Sequence, residues 1–210
     1  MKGRVRWVVA IGALAVFLIV CVAVPNLMES TDHNFGAPAA ASLKEGFLQA
    51  EVQFQQGGYV NPDQDGVGEF GFISEMSGRV AVGNHATLQL LSPLYQHAED
   101  PVSYYHHAVF LPDGPAKALG EPFPHARAGD PGAAKLRRTY WIAYAWPDDI
   151  RFGQRIFAIN RTGTVYSIKP AVATESVQPP AWNDLMGGGT KGWADPPVWT
   201  VLKMGERIPP

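Results

Sequence analysis

The chain has 210 residues and a formal net charge of −2, with 46% hydrophobic and 17% charged residues. This composition is typical of a folded protein and excludes a disordered one. Lys2, Arg4 and Arg6 precede every acidic residue, and beyond Pro25 the 19 acidic residues outnumber the 14 basic ones. That balance gives no electrostatic basis for nucleic-acid binding, so no nucleic acid is expected as a partner.

Residues 7–24 (WVVAIGALAVFLIVCVAV) contain no polar side chain. As a helix they would span about 27 Å, close to the thickness of a bilayer's hydrocarbon core. The basic flank 1–6 predicts a cytoplasmic N-terminus. A cleaved signal peptide is the alternative, although its apolar region is usually shorter and no A-x-A site follows Val24. We predict a single-pass anchor in the cytoplasmic membrane that contacts lipid through residues 7–24, with the C-terminal domain periplasmic or extracellular.

Residues 25–58 follow the anchor and predict a helical stem. Apolar side chains recur there at helical spacing: Leu43, Phe47, Ala50 and Phe54. Such a stripe indicates an amphipathic helix that packs one face on another element, and Gly57-Gly58 would end it. Gly36 and Pro38 predict a kink or short break within the stem.

Beyond Gly58 the periodicity changes, and residues 59–169 predict an antiparallel sheet domain. Four runs have strand character: SYYHHAVFL (103–111), TYWIAYAW (139–146), RIFAIN (155–160) and TVYSIK (164–169). The last two predict a hairpin with Gly163 at positive φ. In the second run large residues alternate: Tyr140, Ile142, Tyr144 and Trp146. We predict that this aromatic face meets the stem helix.

Two segments are rich in Pro and Gly. Residues 112–138 predict a long loop inside the sheet domain, and loops of that length are usually mobile or functional. Residues 170–210 form an irregular tail that contains Trp182, Trp193 and Trp199. Because three tryptophans are unusual in a disordered tail, we expect it to pack against the sheet.

Four pieces of the chain, in this order, resemble the type IV pilin-like and pseudopilin family of bacteria. They are VAVPNLMES, ASLKEGFLQAEVQFQ, DQDGVGEFG and AWPDDIRFGQRIFAINRTGTVYSI, and together they cover about half of the chain. The resemblance implies an α+β fold in which a long N-terminal helix packs its continuation on a small antiparallel sheet. It also implies a non-catalytic subunit of a type II secretion or type IV pilus assembly, with copies of itself or other pilin-like subunits as partners.

The N-terminus departs from that family's pattern. Alignment on Pro25 places Gly3 at the family's prepilin peptidase site, but Arg4 follows where an apolar residue is usual. Val8 stands where the family has a helix glutamate that pairs with a neighbouring subunit. The resemblance therefore implies a degenerate cleavage site, and we predict that the anchor stays uncut.

Motifs that would indicate catalysis are missing from the sequence: G-x-S-x-G, H-E-x-x-H and C-x-x-C. In GGGTKG at 187–192, Lys191 is followed by Gly192 where a P-loop has Ser or Thr, so the stretch is interpreted as a turn. His106 and His107 are neighbours on a predicted strand and should point to opposite faces. Asp148 and Asp149 follow a Trp-Pro turn. We therefore expect no catalytic residues, no enzyme activity and no cofactor.

The stretch NPDQDGVGEFG (61–71) allows two interpretations. Its alternating polar residues resemble the first half of an EF-hand loop, with Asp63, Asp65 and Glu69 as weak calcium candidates. The twelfth position, which needs a bidentate acid, is Phe72. Asp and Gly here would also turn the chain from the stem into the sheet domain. We favour the turn, with weak calcium binding as the alternative.

These expectations combine into one functional prediction. The chain is a membrane-anchored, pilin-like structural subunit that lacks catalysis. The alternative is a membrane-tethered extracytoplasmic binding module, in which the 112–138 loop and the tryptophan-containing tail form a surface for a small ligand or cation.

Overall fold

The computed structural model describes residues 32–62, 64–83, 88–97, 100–114, 117–121, 131–153, 155–168 and 200–201. The predicted anchor at 7–24, the Gly3 cleavage site and the GGGTKG turn at 187–192 lie outside these residues. Within the described part of the chain, no helix combines the length and apolar character that crossing a membrane requires.

The stem helix is one continuous helical stretch made of four segments: Asp32–Gly36, Ala37–Ala41, Ser42–Phe47 and Leu48–Gln56. The first and third segments have the wider π-helical hydrogen bonding. Gly36 keeps right-handed helical angles (φ −72°, ψ −37°), so the helix has no break there. The change from π-helical to α-helical bonding between Gly36 and Ala37 lies where a kink was the other prediction. The glycine serves packing instead, because a Cβ there would lie 3.0 Å from the ring of Phe157.

The sheet is antiparallel, and its strand order is β2-β1-β3-β4-β5-β6. Its strands are β1 Tyr105–Pro112, β2 Ala118–Gly120, β3 Ile142–Pro147, β4 Ile156–Asn160, β5 Val165–Ile168 and β6 Thr200–Val201. The four predicted strands correspond to β1, β3, β4 and β5. The predicted β4–β5 hairpin is confirmed, since Gly163 has φ +70° and its N–H donates to the Asn160 carbonyl over 2.9 Å. The fold class is therefore α+β, with a helix packed on an antiparallel sheet.

The stem packs on the sheet through the predicted stripe. Leu43, Phe47 and Phe54 are all fully buried, as the spacing predicted. The predicted partner face is wrong. The stem shares its core with Trp141, Ala143 and Ala145, whereas the alternate residues Ile142, Tyr144 and Trp146 form a separate cluster on the opposite face. Two alanines on the stem side let the helix come close to β3, and the larger side chains fill the other face.

The described parts of the 112–138 segment include regular structure that was not predicted: β2 and a short helix, Ala134–Arg137. Residues 115–116 and 122–130 lie outside the described part. In the tail, β6 pairs with β5 at Tyr166 and Ser167, as expected for a tail that packs against the sheet. Trp182, Trp193 and Trp199 lie outside the described residues.

Candidate functional site

The stretch after the stem helix forms the predicted turn. Gly66 has φ +89°, a conformation that L side chains rarely adopt. An oxygen of the Asp65 carboxylate accepts from the N–H of Val67 over 3.0 Å, the local side-chain-to-backbone bond that Asp supplies in turns. The N–H of Glu69 then donates to the Val60 carbonyl over 2.8 Å and closes the turn. Backbone geometry and one Asp side chain therefore account for this part of the stretch.

The calcium candidates are not brought together. Asp65 is exposed and binds the guanidinium of Arg138. Glu69 is buried, and its Oε2 accepts from Nε of Arg137 over 2.8 Å. Asp63 lies outside the described residues. Among the residues that the structure describes, no three His, Cys, Asp or Glu side chains are grouped to hold a metal ion. Calcium binding stays an alternative prediction.

A different set of carboxylates converges on the residues that follow. The N–H groups of Gly71 and Phe72 donate to Glu51 Oε2 and to Glu75 Oε2, each over 2.8 Å. The N–H groups of Ile73 and Ser74 donate to the two oxygens of Glu121, over 3.1 and 2.8 Å. We call this arrangement the carboxylate latch: Glu51, Glu75, Glu121 and the backbone of residues 71–74. It joins the stem helix, the short helix Ile73–Met76 and the end of β2.

Arg137 completes the latch region as a buried cation. Its side chain is 3% exposed and pairs with the 1% exposed side chain of Glu69. Its carbonyl also accepts from the N–H of Phe70 over 3.1 Å. A buried charge without a partner is strongly unfavourable, so this pair and its hydrogen bonds fix the Ala134–Arg137 helix against the turn.

Glu121 is the latch carboxyl that receives backbone hydrogen bonds on both of its oxygens. Burial raises the pKa of its carboxyl to about 7. Hydrogen bonds from Ser74 and Ile73 oppose this increase, and the nearby charge of Glu75 adds to it. A carboxyl with this pKa can gain or lose a proton near neutrality while it caps the backbone of the Ile73–Met76 helix.

The sequence contained a signal for two of the three latch carboxylates. Glu51 follows Ala50 on the buried side of the stem helix, and an acid there needs an internal partner. Glu75 stands three residues after Phe72, the spacing at which a side chain caps a helix start. Glu121 had no local signal, because its partners are 47 and 48 residues away in the chain.

A second polar group lies between the stem and β1. Ser42 Oγ donates to the Ala39 carbonyl over 2.8 Å and lies 3.1 Å from His107 Nε2. The tautomer of the imidazole sets which of the two groups donates in the second contact. Burial lowers the pKa of His107 to about 3, with a hydrogen bond to the Tyr105 backbone partly opposing that decrease. The imidazole is therefore neutral near pH 7, and its contact with Ser42 joins β1 to the stem helix.

The neighbouring histidine behaves as predicted for the opposite face. His106 Nε2 lies 2.8 Å from an oxygen of Asp148. Asp149 instead pairs with Arg151, whose guanidinium lowers the pKa of that carboxyl. The two aspartates therefore have different partners: Asp148 contacts a histidine and Asp149 contacts an arginine.

Comparison of the chain with family models, with curated proteins and with solved structures found no match. The chemistry of the site must be inferred from its geometry alone. Within the described part of the chain, the buried polar groups discussed above bond to backbone or to an opposite charge. This arrangement joins the stem helix, the two short helices and the end of β2.

Proposed function

We propose that the protein is a membrane-anchored, pilin-like structural subunit of a type II secretion or type IV pilus-type assembly. One observation carries this proposal: a single helical stem packs a fully buried stripe on an antiparallel sheet. The stem's first described residue, Asp32, follows the apolar run 7–24 after only seven residues. A helix that leads from a membrane anchor into a sheet domain is the plan that the sequence resemblance implies.

The polar contacts support a structural role. Glu51 and Glu121 bond to backbone N–H groups, Arg137 bonds to Glu69, and Ser42 bonds to the Ala39 carbonyl. Three of these contacts hold the residues after the stem against the stem helix, the end of β2 and the Ala134–Arg137 helix, which suits a structural subunit.

The outer face of the stem is the proposed assembly surface. Val52 lies on the stem helix with 39% of its surface exposed, opposite the buried stripe. The resemblance implies that a filament subunit would meet its copies through the N-terminal helix, and Val52 provides a position on the outer face of the stem at which such contact can be detected.

Photo-crosslinking of the full-length chain in membranes tests this proposal. A photoreactive residue at position 52 should give a crosslinked species with the mass of two chains or of a chain with another pilin-like subunit. The control is position 67, where Val67 is 48% exposed on the turn that follows the C-terminal end of the stem. If position 52 gives no more crosslink than position 67, the subunit role is wrong and a monomeric tethered binding module takes its place.

Intact-mass measurement of the membrane-extracted protein tests the predicted processing. Arg4 and Val8 differ from the residues expected at the cleavage and assembly positions. We therefore expect the mass of a chain whose N-terminal segment is uncut. A mass that lacks residues 1–3 and carries a methyl group would instead show a cleaved, filament-type subunit.

A further inference from the structure

A strained turn displays an aromatic side chain at the start of the stem helix. Val102 and Tyr105 exchange two backbone hydrogen bonds, of 2.8 and 3.1 Å, around the central residues Ser103 and Tyr104. Both central residues have positive φ, +53° and +70°. Two-residue hairpin turns of this kind favour Asn-Gly, because side chains disfavour positive φ. Tyrosine at a glycine position is therefore a local conflict that needs an explanation.

The tyrosine is held in a cluster of rings. Tyr104 stacks on Phe152 with centroids 4.3 Å apart, and Phe35 meets both rings edge-on at 5.0 and 5.7 Å. We call Phe35, Tyr104 and Phe152 the aromatic tip. The N–H of Asp148 donates to the Tyr104 carbonyl over 3.0 Å and fixes the turn beside the end of β3. Even so, 48% of the Tyr104 surface remains exposed.

Two polar contacts border the aromatic tip. Arg151 lies over the Phe152 ring at 5.7 Å and forms an ion pair with Asp149 over 2.8 Å. On the other side, His106 contacts Asp148 over 2.8 Å. With His106 neutral, Arg151, Asp148 and Asp149 leave the rim a net charge of −1 (one cation and two anions), which is small enough for contact with zwitterionic lipid headgroups.

The position of the aromatic tip in the chain favours the membrane surface as its partner. Phe35 lies in the first described helical segment, and seven residues separate the apolar run from Asp32. At about 3.6 Å per residue, the tip end of the stem cannot be more than roughly 30 Å from the end of that run. Tyrosine is enriched at the membrane–water interface, where its ring contacts lipid and its hydroxyl contacts water.

We propose that the aromatic tip rests on the headgroup layer of the membrane and orients the sheet domain against the bilayer. This inference rests on the proposed membrane anchor. The anchor fixes only the height of the domain, whereas a second contact beside the stem would also restrict its tilt. This contact would explain why tyrosine is present at a positive φ. Glycine would remove the backbone strain of the turn, but it would also remove the side chain that contacts lipid.

Spin-label accessibility in reconstituted full-length protein tests this proposal. In a Cys21→Ser chain, a nitroxide on Ser103→Cys reports the tip, and one on Val67→Cys reports an exposed site at the other end of the stem. In phosphatidylcholine vesicles, we expect the label at 103 to be protected from a water-soluble nickel chelate and exposed to oxygen. The label at 67 should show the opposite.

Tyr104→Gly is the discriminating variant. Glycine suits positive φ, so the variant should melt at the same temperature or higher, while protection of the label at 103 is lost. The chain should resist extraction with alkaline carbonate in both forms. A lower melting temperature with protection unchanged would mean that Tyr104 serves folding, and the inference would be wrong.

Two further outcomes separate the inference from the proposed function. If the chain resists carbonate but the label at 103 is as accessible to nickel as the label at 67, the tip does not contact lipid and only this inference fails. If carbonate removes the chain, the anchor itself is wrong and both fail. Protection that appears only at high protein-to-lipid ratio would show contact with a second copy, which also overturns the lipid contact.

Discussion

The two ends of the stem helix differ in chemistry. Around Glu51, buried carboxylates accept from backbone N–H groups of residues 71–74, and the buried guanidinium of Arg137 binds the Glu69 carboxylate. Around Phe35, three rings pack together at a strained turn, and Tyr104 is half exposed. The two regions are separated by 16 residues of helix, on the order of 20 Å.

The difference shows how one helix can be fixed at one end and present a surface at the other. At the carboxylate latch, each acid satisfies backbone N–H groups that would otherwise be buried without partners, and such groups are costly. The hydrogen bonds of the latch carboxylates are therefore made within the protein. At the aromatic tip, ring contacts hold a turn that glycine would form more easily, so stability alone does not account for the sequence there. Stability measurements should respond strongly to changes at the latch and weakly to changes at the tip.

The largest effect is expected at the buried ion pair. Arg137→Met removes the partner of Glu69 and should destabilise the fold by about 3–5 kcal/mol, because a buried carboxylate loses its counter-charge. Chemical denaturation of the purified protein measures this change. Arg151→Met is the matched control at the tip, where the guanidinium is 77% exposed, and should change the unfolding free energy little.

A double variant sharpens this comparison. Adding Glu69→Gln to Arg137→Met removes the buried charge as well as its partner, so part of the lost stability should return. If Arg137→Met and Arg151→Met cost the same, the latch end is no more dependent on buried charge than the tip end.

The next effect is a pH dependence that arises from Glu121. Its pKa in the folded protein, about 7, lies above the ordinary value of 4.5. Between those two pH values, the Glu121 carboxyl is therefore protonated in the folded state and ionised in the unfolded state. This stabilisation is complete below about pH 4.5 and is lost as pH rises through 7. At about 1.4 kcal/mol per pH unit, the total loss is about 3 kcal/mol.

Unfolding measured across pH 4.5–7.5 in Glu121→Gln checks this assignment. The variant does not titrate, so its stability should fall less steeply with pH than that of the unchanged protein. Glu45→Gln, which removes an exposed carboxyl from the stem helix, is the control and should retain the original slope. Equal slopes in all three proteins would mean that Glu121 does not control the pH dependence.

The sequence predicted features that depend on local periodicity. The buried stripe of the stem and four strands follow from spacing alone, and Gly163 marks its own hairpin. The face of β3 that meets the stem was predicted wrongly, because both faces of that strand are apolar and only the size of Ala143 and Ala145 distinguishes them. At Gly36 the glycine was interpreted as a helix breaker. Its role in the close contact with Phe157 depends on tertiary structure, which the local sequence does not show.

The latch and the tip were beyond local reasoning for different reasons. Glu121 reaches its partners across 47 residues, and no local pattern indicates such a distant acceptor. The turn at Ser103 and Tyr104 lacks the Asn-Gly signature by which such turns are recognised. Each site violates a local rule, and these are the places where tertiary packing or function decides the residue.

A smaller effect distinguishes two glycines of the turn between stem and sheet. A Cβ at Gly68 would lie 2.4 Å from the Gln55 carbonyl oxygen, whereas at Gly66 it would meet open space and only the φ of +89° opposes it. Gly68→Ala must therefore move the backbone and should cost about 1–3 kcal/mol. Gly66→Ala should cost about 1–2 kcal/mol. Thermal unfolding of the two variants gives the ranking, and the reverse order would show that φ strain dominates this turn.

The smallest expected effect is that of calcium on the same turn. Asp65 binds Arg138 and Glu69 binds Arg137, so two of the three candidate ligands already have cationic partners, and Phe72 occupies the position of the bidentate acid. We expect millimolar calcium to leave the melting temperature unchanged. A native-state site with ligand at a hundredfold excess over Kd would add about 2.7 kcal/mol, which thermal unfolding resolves easily. The control is Asp63→Asn combined with Asp65→Asn. A calcium-dependent increase in melting temperature that this double variant abolishes would make the turn a cation site and replace the structural interpretation of its carboxylates.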